Sequence, residues 1–365
     1  KSVIDSGRNV IIFPEGTRGQ PGEMEHFRSG IGRLMAQYPH VPIVPVFLTG
    51  PDRALPRASG LLLPFWNNII VGPPQKCVGS HREITHQLES VLVDLSRSER
   101  ARRHKRRAQT VRPAICLAFL GIDGSGKSTA STIAAQRFSE SLRVCLVSDE
   151  LRVFENGQAR ELQPLPSEKL RQRISAYAKT VGSLKQYKIP KLAELLLRDR
   201  LMHEAGRWYS PDLIVMDGSP LLNLLAWSVL YQQEELDNAT CSTALGILSG
   251  LTKDVNRSDN IFTRFPELAR MKQLGLTHLS LPDIVIMIDV DSATACRRIE
   301  ARGQQRQVHE TEEKLDRLRR AYLQVCEVVQ TDWRIPTRIV NGEQTLENVM
   351  EQALQFARAS LTTKE

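Results

Sequence analysis

From residue 113 onward, short apolar runs alternate with longer stretches whose apolar residues recur three or four positions apart. The runs at 115–120 (ICLAFL), 143–148 (RVCLVS), 212–217 (DLIVMD), 283–289 (DIVIMID) and 337–341 (TRIVN) have the length and composition of strands. Helical periodicity predicts helices over 127–139, 167–205, 293–301 and 310–328. Such alternation predicts an α/β fold, a mainly parallel five-stranded sheet flanked by helices. Ligands gather at the carboxyl ends of strands in sheets of this kind, and Asp149, Asp217 and Asp289 fall at or just after three of those ends. Upstream, Ile84, Leu88, Leu92 and Leu95 recur at helical spacing, so an amphipathic helix is expected to run into the basic block RSERARRHKRR at 97–107. The predicted organisation is a first domain over 1–96, a basic linker over 97–112 and a second domain over 113–365.

The first apolar run of the second domain leads into GIDGSGKS, Gly121 to Ser128, and then into a helical stretch. This is the G-x-x-x-x-G-K-S pattern in the strand, turn and helix context that a phosphate-binding P-loop requires. Gly121, Gly124 and Gly126 let the backbone turn tightly and aim N–H groups at phosphate oxygens, at the positive end of the following helix. Lys127 is expected to reach the β- and γ-phosphates and the Ser128 hydroxyl to hold Mg²⁺, making Mg-ATP the expected donor. The candidate ATP-binding residues are Gly121, Asp123, Gly124, Ser125, Gly126, Lys127, Ser128 and Thr129.

Charge changes the picture for the first domain only. Up to Arg112 there are 17 basic against 9 acidic residues, whereas the remainder balances 32 against 32, so the net charge of +8 belongs to the first part and its linker. The basic block is a solvated linker or helix end, or attracts an anionic membrane surface. It has no interleaved aromatic residues to stack on bases, which argues against nucleic acid. No apolar run approaches the roughly 18 residues of a membrane span. The six cysteines are scattered without metal-ligand spacing and read as reduced thiols. These features predict a cytoplasmic protein, with peripheral attachment at the inner membrane surface through the linker as a further expectation. The chain starts at Lys1, and a longer parent polypeptide is expected upstream.

Residues 113–360 resemble the thymidylate kinase-like branch of the P-loop kinases, through FLGIDGSGKST, LPDIVIMIDVDSATACRRIEARG, HETEEKLDRLRRAYLQV and IVNGEQTLENV. The resemblance implies transfer of the γ-phosphoryl group of ATP to an acceptor, with a mobile arginine-bearing lid. Phosphoryl transfer is mainly positioning and charge neutralisation, so cations and a metal-associated carboxylate are the residues to seek. Arg297, Arg298, Arg302 and Arg306 surround Gly303 in a polar stretch suited to a lid, with Arg302 and Arg306 preferred; alternatively they decorate a helix face and pair with Glu300, Glu310, Glu312 and Glu313. Asp217 follows LIVM where such enzymes keep the acid that holds the metal with Ser128, or is an ordinary turn aspartate. Asp149 and Glu150 follow the second strand, where a carboxylate accepts the acceptor's proton or orients its hydroxyl and Arg152 contacts an acceptor anion; a helix N-cap at Ser148 or Asp149 is the competing reading. Relatives carry Asp-Arg where this chain has Asp217-Gly218, which puts thymidylate specificity in doubt. Residues 231–280 read as inserted relative to a minimal kinase of this type.

The first part resembles the glycerophosphate and lysophosphatidate acyltransferases, through VIIFPEGTRG at 10–19, HFRSGIGRLM at 26–35 and VPIVPVFLTG at 41–50. The resemblance implies binding of a phosphorylated glycerol or lysophospholipid, with Arg18 on the phosphate and Glu15, Gly16 and Thr17 shaping the loop. An acyl thioester would be the second substrate. The general base of that family is a histidine in N-H-x-x-x-x-D, a pattern that occurs nowhere in this chain, so no acyl transfer is expected from it alone. The combined expectation is a fragment of a bifunctional enzyme. Its kinase part rests on Lys127, Asp149, Arg302 and Arg306, with dTMP as the default acceptor. A small alcohol or lipid headgroup as acceptor, or a nucleotide-binding regulator of the acyltransferase, are the alternatives.

Overall fold

The computed structural model describes residues 2–16, 24–49, 68–109, 114–160, 162, 164–231, 236–252, 259–268, 278–303 and 307–362. Two compact units divide them, one up to residue 109 and one from 114 onward. The first contains α1 (Ser2–Asp5), α2 (Gly30–Gln37), β1 (Val46–Thr49), β2 (Asn68–Val71) and α3 (His81–Gln109). Its core is small: Met35, Cys77, Ile84 and Leu88, with Phe27, Ile31, Val41 and Ile43 packed against them. Gly32 lets α2 approach α3, since a Cβ there would lie 2.0 Å from the His81 carbonyl oxygen. The helix expected from Ile84, Leu88, Leu92 and Leu95 is α3, and it continues through residues 97–109. Strands β1 and β2 pair antiparallel with Val46 opposite Val71 and Leu48 opposite Ile69, and all four are exposed. Among the described residues no helix is long and apolar enough to cross a membrane.

The second unit begins with β3 (Ile115–Leu120) and α4 (Lys127–Phe138), followed by β4 (Val144–Val147), β5 (Leu151–Glu155) and β6 (Gln158–Arg160). Next come α5 (Pro166–Thr180), α6 (Leu184–Tyr209), β7 (Leu213–Asp217), α7 (Pro220–Trp227), α8 (Asn238–Ser249) and α9 (Asn260–Arg264). Then β8 (Ile284–Asp289), α10 (Ser292–Ala301), α11 (Glu312–Thr331), β9 (Thr337–Asn341) and α12 (Leu346–Thr362) complete it. The five expected strands all form, but the sheet has seven, in the order β6-β5-β4-β7-β3-β8-β9. The two additions are an antiparallel edge hairpin, β5 and β6. Its turn is Asn156-Gly157, both at positive φ (52° and 77°), the pair that a tight two-residue hairpin favours. The remaining strands run parallel, with β3 between β7 and β8.

Parallel strands need cover on both faces. Leu117 to Leu120 are fully buried, and α4 packs on β3, β4 and β7 through Ala130, Ala134, Ala135 and Phe138. The helix expected over 167–205 is two: α5 ends where Val181 turns extended, and Ser183 caps α6 by accepting from the Gln186 N–H at 3.3 Å. A Ser at that point satisfies a backbone donor that the start of a helix leaves unpaired. The break makes α5 and α6 separate neighbours, and each brings an arginine toward the end of β4.

Candidate functional site

The C-terminal ends of β3, β4 and β7 open on a cavity of about 220 Å³. On the β3 side it is lined by Gly121, Ile122, Asp123, Lys127 and Ser128. The loop cannot be built with side chains at two of its glycines. Gly121 and Gly124 sit at φ 150° and 87°, and a Cβ would lie 2.7 Å from the Ile288 carbonyl oxygen or 2.6 Å from that of Ala295. Gly126, at φ 92°, is the N-cap of α4. Lys127 Nζ donates to Asp123 Oδ1 at 2.9 Å and to the Ile122 carbonyl at 3.3 Å. Ser125 is buried, and Thr129 is exposed on the first turn of α4.

His309, which sequence reasoning did not single out, completes this side. Its Nε2 lies 2.7 Å from Asp123 Oδ2, the ring is 1% exposed, and it stands between Tyr187 (5.2 Å) and Trp227 (4.5 Å). Lys191 lies over the Trp227 ring at 4.8 Å. Burial opposes the charged form of Asp123, but Lys127, the His309 hydrogen bond and Lys191 outweigh it and hold the carboxyl well below its ordinary range. Asp123, His309 and Glu310 lie close enough to share an ion, yet the ammonium of Lys127 already occupies one Asp123 oxygen.

At the end of β7, Asp217 is 8% exposed and its Oδ1 has no hydrogen-bond partner among the described residues. A buried, unpaired carboxylate oxygen in the same cavity as the Ser128 hydroxyl fits a hard divalent cation, which takes oxygen ligands and water. Gly218, at φ 87°, follows it, and a Cβ there would lie 2.6 Å from Asn223 Nδ2. From α6, Arg198 Nη1 donates to the Asp217 carbonyl at 2.6 Å. Beside it, Asn223 Oδ1 accepts from the Tyr322 hydroxyl at 3.1 Å.

Asp149 also lines the cavity. No helix follows β4, so the N-cap reading of Ser148 and Asp149 does not hold: Ser148 to Glu150 form the turn between β4 and β5, closed by the Ser148 N–H donating to the Glu150 carbonyl at 3.2 Å. Asp149 Oδ1 accepts from Arg171 Nη1 at 3.3 Å and from Arg198 Nη2 at 3.2 Å. Partial desolvation by the surrounding groups raises its pKa, and Arg198 and Arg171 more than reverse that, leaving the carboxyl below its ordinary value. Arg152 lies in β5, opposite Leu146 of β4.

Of the lid arginines, Arg302 lines the cavity as the C-cap of α10. Arg298 instead donates to the carbonyls of Gly124 and Ser125, both at 3.4 Å, and of Gly342 at 2.9 Å, which ties the P-loop to α10. Arg297 donates to the Thr294 hydroxyl at 2.6 Å. Arg306 lies outside the described residues. Asp289 accepts from Nε and Nη2 of Arg319, at 2.6 and 2.8 Å. In the first unit, Thr17 and Arg18 lie outside the described residues, whereas Glu15 and Gly16 form a turn braced by Arg28. The Arg28 Nε donates to the Glu15 carbonyl at 3.2 Å, and the Arg28 N–H to that of Pro14 at 2.9 Å.

The acyltransferase family profile matches residues 1–49. Over 238 residues the chain is 26% identical to a probable thymidylate kinase of Sulfolobus acidocaldarius, a match that covers 65% of this chain and 92% of that protein. The chain thus joins a stretch similar to acyltransferases to one similar to thymidylate kinases. It is also 33% identical over 72 residues to a 1-acyl-sn-glycerol-3-phosphate acyltransferase of Limnanthes douglasii, covering 20% of this chain and 25% of that relative. The acyltransferase likeness therefore spans only about a quarter of that relative's length. Among solved structures, deoxyadenosine kinase from M. mycoides with dCMP and dCDP bound covers 67% of this chain and 100% of its own, at 18% identity and a TM-score of 0.43. The same enzyme with dATP bound gives 18% and 0.40.

Proposed function

We propose that the second unit transfers the γ-phosphoryl group of ATP to a small acceptor of nucleoside monophosphate type, with dTMP the default. The observation that carries this reading is the loop from Gly121 to Ser128, set between a fully buried strand end and a helix N-terminus and facing a cavity that also receives Asp217 and Asp149. N–H groups at such a terminus attract phosphate oxygens. Similarity over most of a probable thymidylate kinase supports the same assignment. Lys127 would exchange Asp123 for the β- and γ-phosphates. Gly121, Gly124 and Gly126 would shape the anion cradle, with Asp123, Ser125 and Thr129 completing the loop.

Ser128 and Asp217 are the residues that would hold Mg²⁺, which when bound neutralises phosphate charge. Arg302, with Arg306, would close over the transferred group, and Asp149 would orient the acceptor. The test is ADP release with and without dTMP. Acceptor-dependent release supports a kinase, and acceptor-independent Mg-ATP binding with no turnover would leave a nucleotide-binding regulator.

For the first unit we propose the phosphate-binding part of an acyltransferase site, built on Glu15, Gly16, Thr17 and Arg18 and lying in a domain over 1–96. Similarity to acyltransferases at 1–49 supports it. Thiol release from an acyl-CoA in the presence of lysophosphatidate would contradict the expectation that this chain alone lacks acyl transfer. The basic segment 97–112 would favour an anionic membrane surface, which vesicle binding that weakens with salt would test.

A further inference from the structure

Asp123 divides its two oxygens between a fixed partner and one that has other work. Oδ1 accepts from Lys127 Nζ at 2.9 Å, and Oδ2 lies 2.7 Å from His309 Nε2. The carboxyl is held well below its ordinary range, so it only accepts, and His309 is the donor through Nε2. His309 Nδ1 is buried and has no partner among the described residues, so Asp123 is the group to which the ring is committed.

The imidazole is held in place without help from Asp123. It is 1% exposed between the rings of Tyr187 and Trp227, and the chain on either side of it is tied down. Glu310 Oε2 accepts from the Gln307 N–H at 2.6 Å, and Lys314 Nζ donates to the Val308 carbonyl at 2.5 Å. Lys127 differs, because its ammonium rides on a flexible stem and is the group expected to reach the phosphates. An ammonium on those phosphates leaves Asp123 Oδ1 without its cation. Removing one partner from a desolvated ion pair strands the other charge, and this opposes the exchange. The Asp123 side chain is 31% exposed, so water replaces part of what the ammonium supplied. Lys191 also favours the ionised carboxyl but is engaged with Glu194 at 3.6 Å and with the Trp227 ring. The hydrogen bond from His309 is the contact to Asp123 that stays when Lys127 leaves.

We propose that His309 is a positioning residue for the nucleotide site: by keeping Oδ2 of Asp123 hydrogen-bonded, it lets Lys127 release Oδ1 and turn to the phosphates of ATP. This rests on the kinase reading of the P-loop and adds to it a residue 186 positions from Asp123 in the chain. His309 acts through Asp123 and needs no contact with the phosphates. Asp123 is then the brake on Lys127, and His309 sets how firmly the brake holds.

The experiment measures the Kd of Mg-ATP by calorimetric titration of the full chain. His309→Phe keeps a ring between Tyr187 and Trp227 but has no donor, and is expected to raise the Kd about ten- to hundredfold. His309→Gln loses the ring but retains an N–H, and should stay within about threefold of wild type. A packing role gives the reverse order, and that order would overturn the proposal. The decisive comparison repeats the pair in an Asp123→Asn background, where no carboxylate holds Lys127: there His309→Phe should change the Kd by less than about twofold. An equal loss in both backgrounds would show that His309 does not act through Asp123. Should His309→Phe fail to fold, His309→Leu takes its place as the donorless variant, and a tenfold loss in His309→Gln alone also overturns the assignment. The two readings fail differently: no Mg-ATP binding by the wild type removes the nucleotide site and this role with it, whereas wild-type affinity in His309→Phe removes the role alone.

Discussion

The two sides of the cavity are built by opposite means. The β3 side is a run of eight consecutive residues, Gly121 to Ser128, whose conformation follows from glycines at fixed offsets and from the helix that starts beneath them. The β4 side is gathered from β4, α5, α6 and β7, and its polar atoms meet only because Arg171 and Arg198 extend from two helices to one carboxylate. A contiguous site tolerates change elsewhere in the fold and is broken by change within itself. A dispersed one depends on the break at 181–183 and on the packing that aligns α5 with α6. The same contrast separates the units: the second covers its sheet with helices, whereas the first leaves Val46, Leu48, Ile69 and Val71 exposed.

If the β3 side handles nucleotide by itself, Lys127→Ala should have the largest effect, lowering acceptor-dependent ADP release by about 10²–10³-fold, the usual loss on removing one preorganised charge stabiliser. An unchanged rate would dissolve the distinction between the two sides. Next, Gly124→Val puts a branched side chain at φ 87°, against the Ala295 carbonyl. Backbone strain of about 1–3 kcal/mol should lower the thermal midpoint and weaken Mg-ATP binding. Normal ATP affinity in that variant would mean that the loop is more plastic than its contacts indicate.

A smaller effect is expected where the loop meets the rest of the fold. His309→Leu removes a hydrogen bond to an ionised carboxylate, worth about 1.5–3 kcal/mol, and frees Asp123 to bind Lys127 alone. His309→Gln, which retains a donor, should recover part of the stability in urea titrations. Equal losses in the two variants would assign the effect to the aromatic packing with Tyr187 and Trp227 instead. The smallest change concerns pH. The folded-state pKa of Asp123 lies below its unfolded value, so its contribution to stability is present above about pH 4 and disappears as pH falls through the folded value. The urea midpoints of wild type and Asp123→Asn should therefore differ at pH 6 and converge as the solution becomes more acid. A difference that widens in acid would contradict the sign of the shift.

Much of the second unit was legible from its residues. All five expected strands and the helix after the P-loop form within a residue or two of their predicted ends, because buried parallel strands have a strong apolar signature and a glycine-rich turn marks its neighbours. The edge hairpin was missed although Asn156-Gly157 is a turn signal, since its flanking residues, LRVFE and QAR, are only partly apolar. The break in 167–205 was missed because Val181-Gly182-Ser183 interrupts the helical periodicity by only a few residues. Within the site, Lys127, Ser128, Asp149, Asp217 and Arg302 reach one cavity. His309, Arg171 and Arg198 carry no local signal, and Arg298, read as a lid cation, is committed to P-loop carbonyls.

The order of residues alone determined where the strands lie, where the backbone must turn through glycine, and that a lysine and a serine follow that turn at the start of a helix. These are consequences of local sterics and periodicity and involve neighbours in the chain. Which side chains oppose one another across the cavity was decided only by the tertiary structure. The strand order brings β7 between β3 and β4, and the packing of α5 on α6 brings two distant arginines onto Asp149. Charges so far apart in sequence acquire a common energy only when packing excludes water between them.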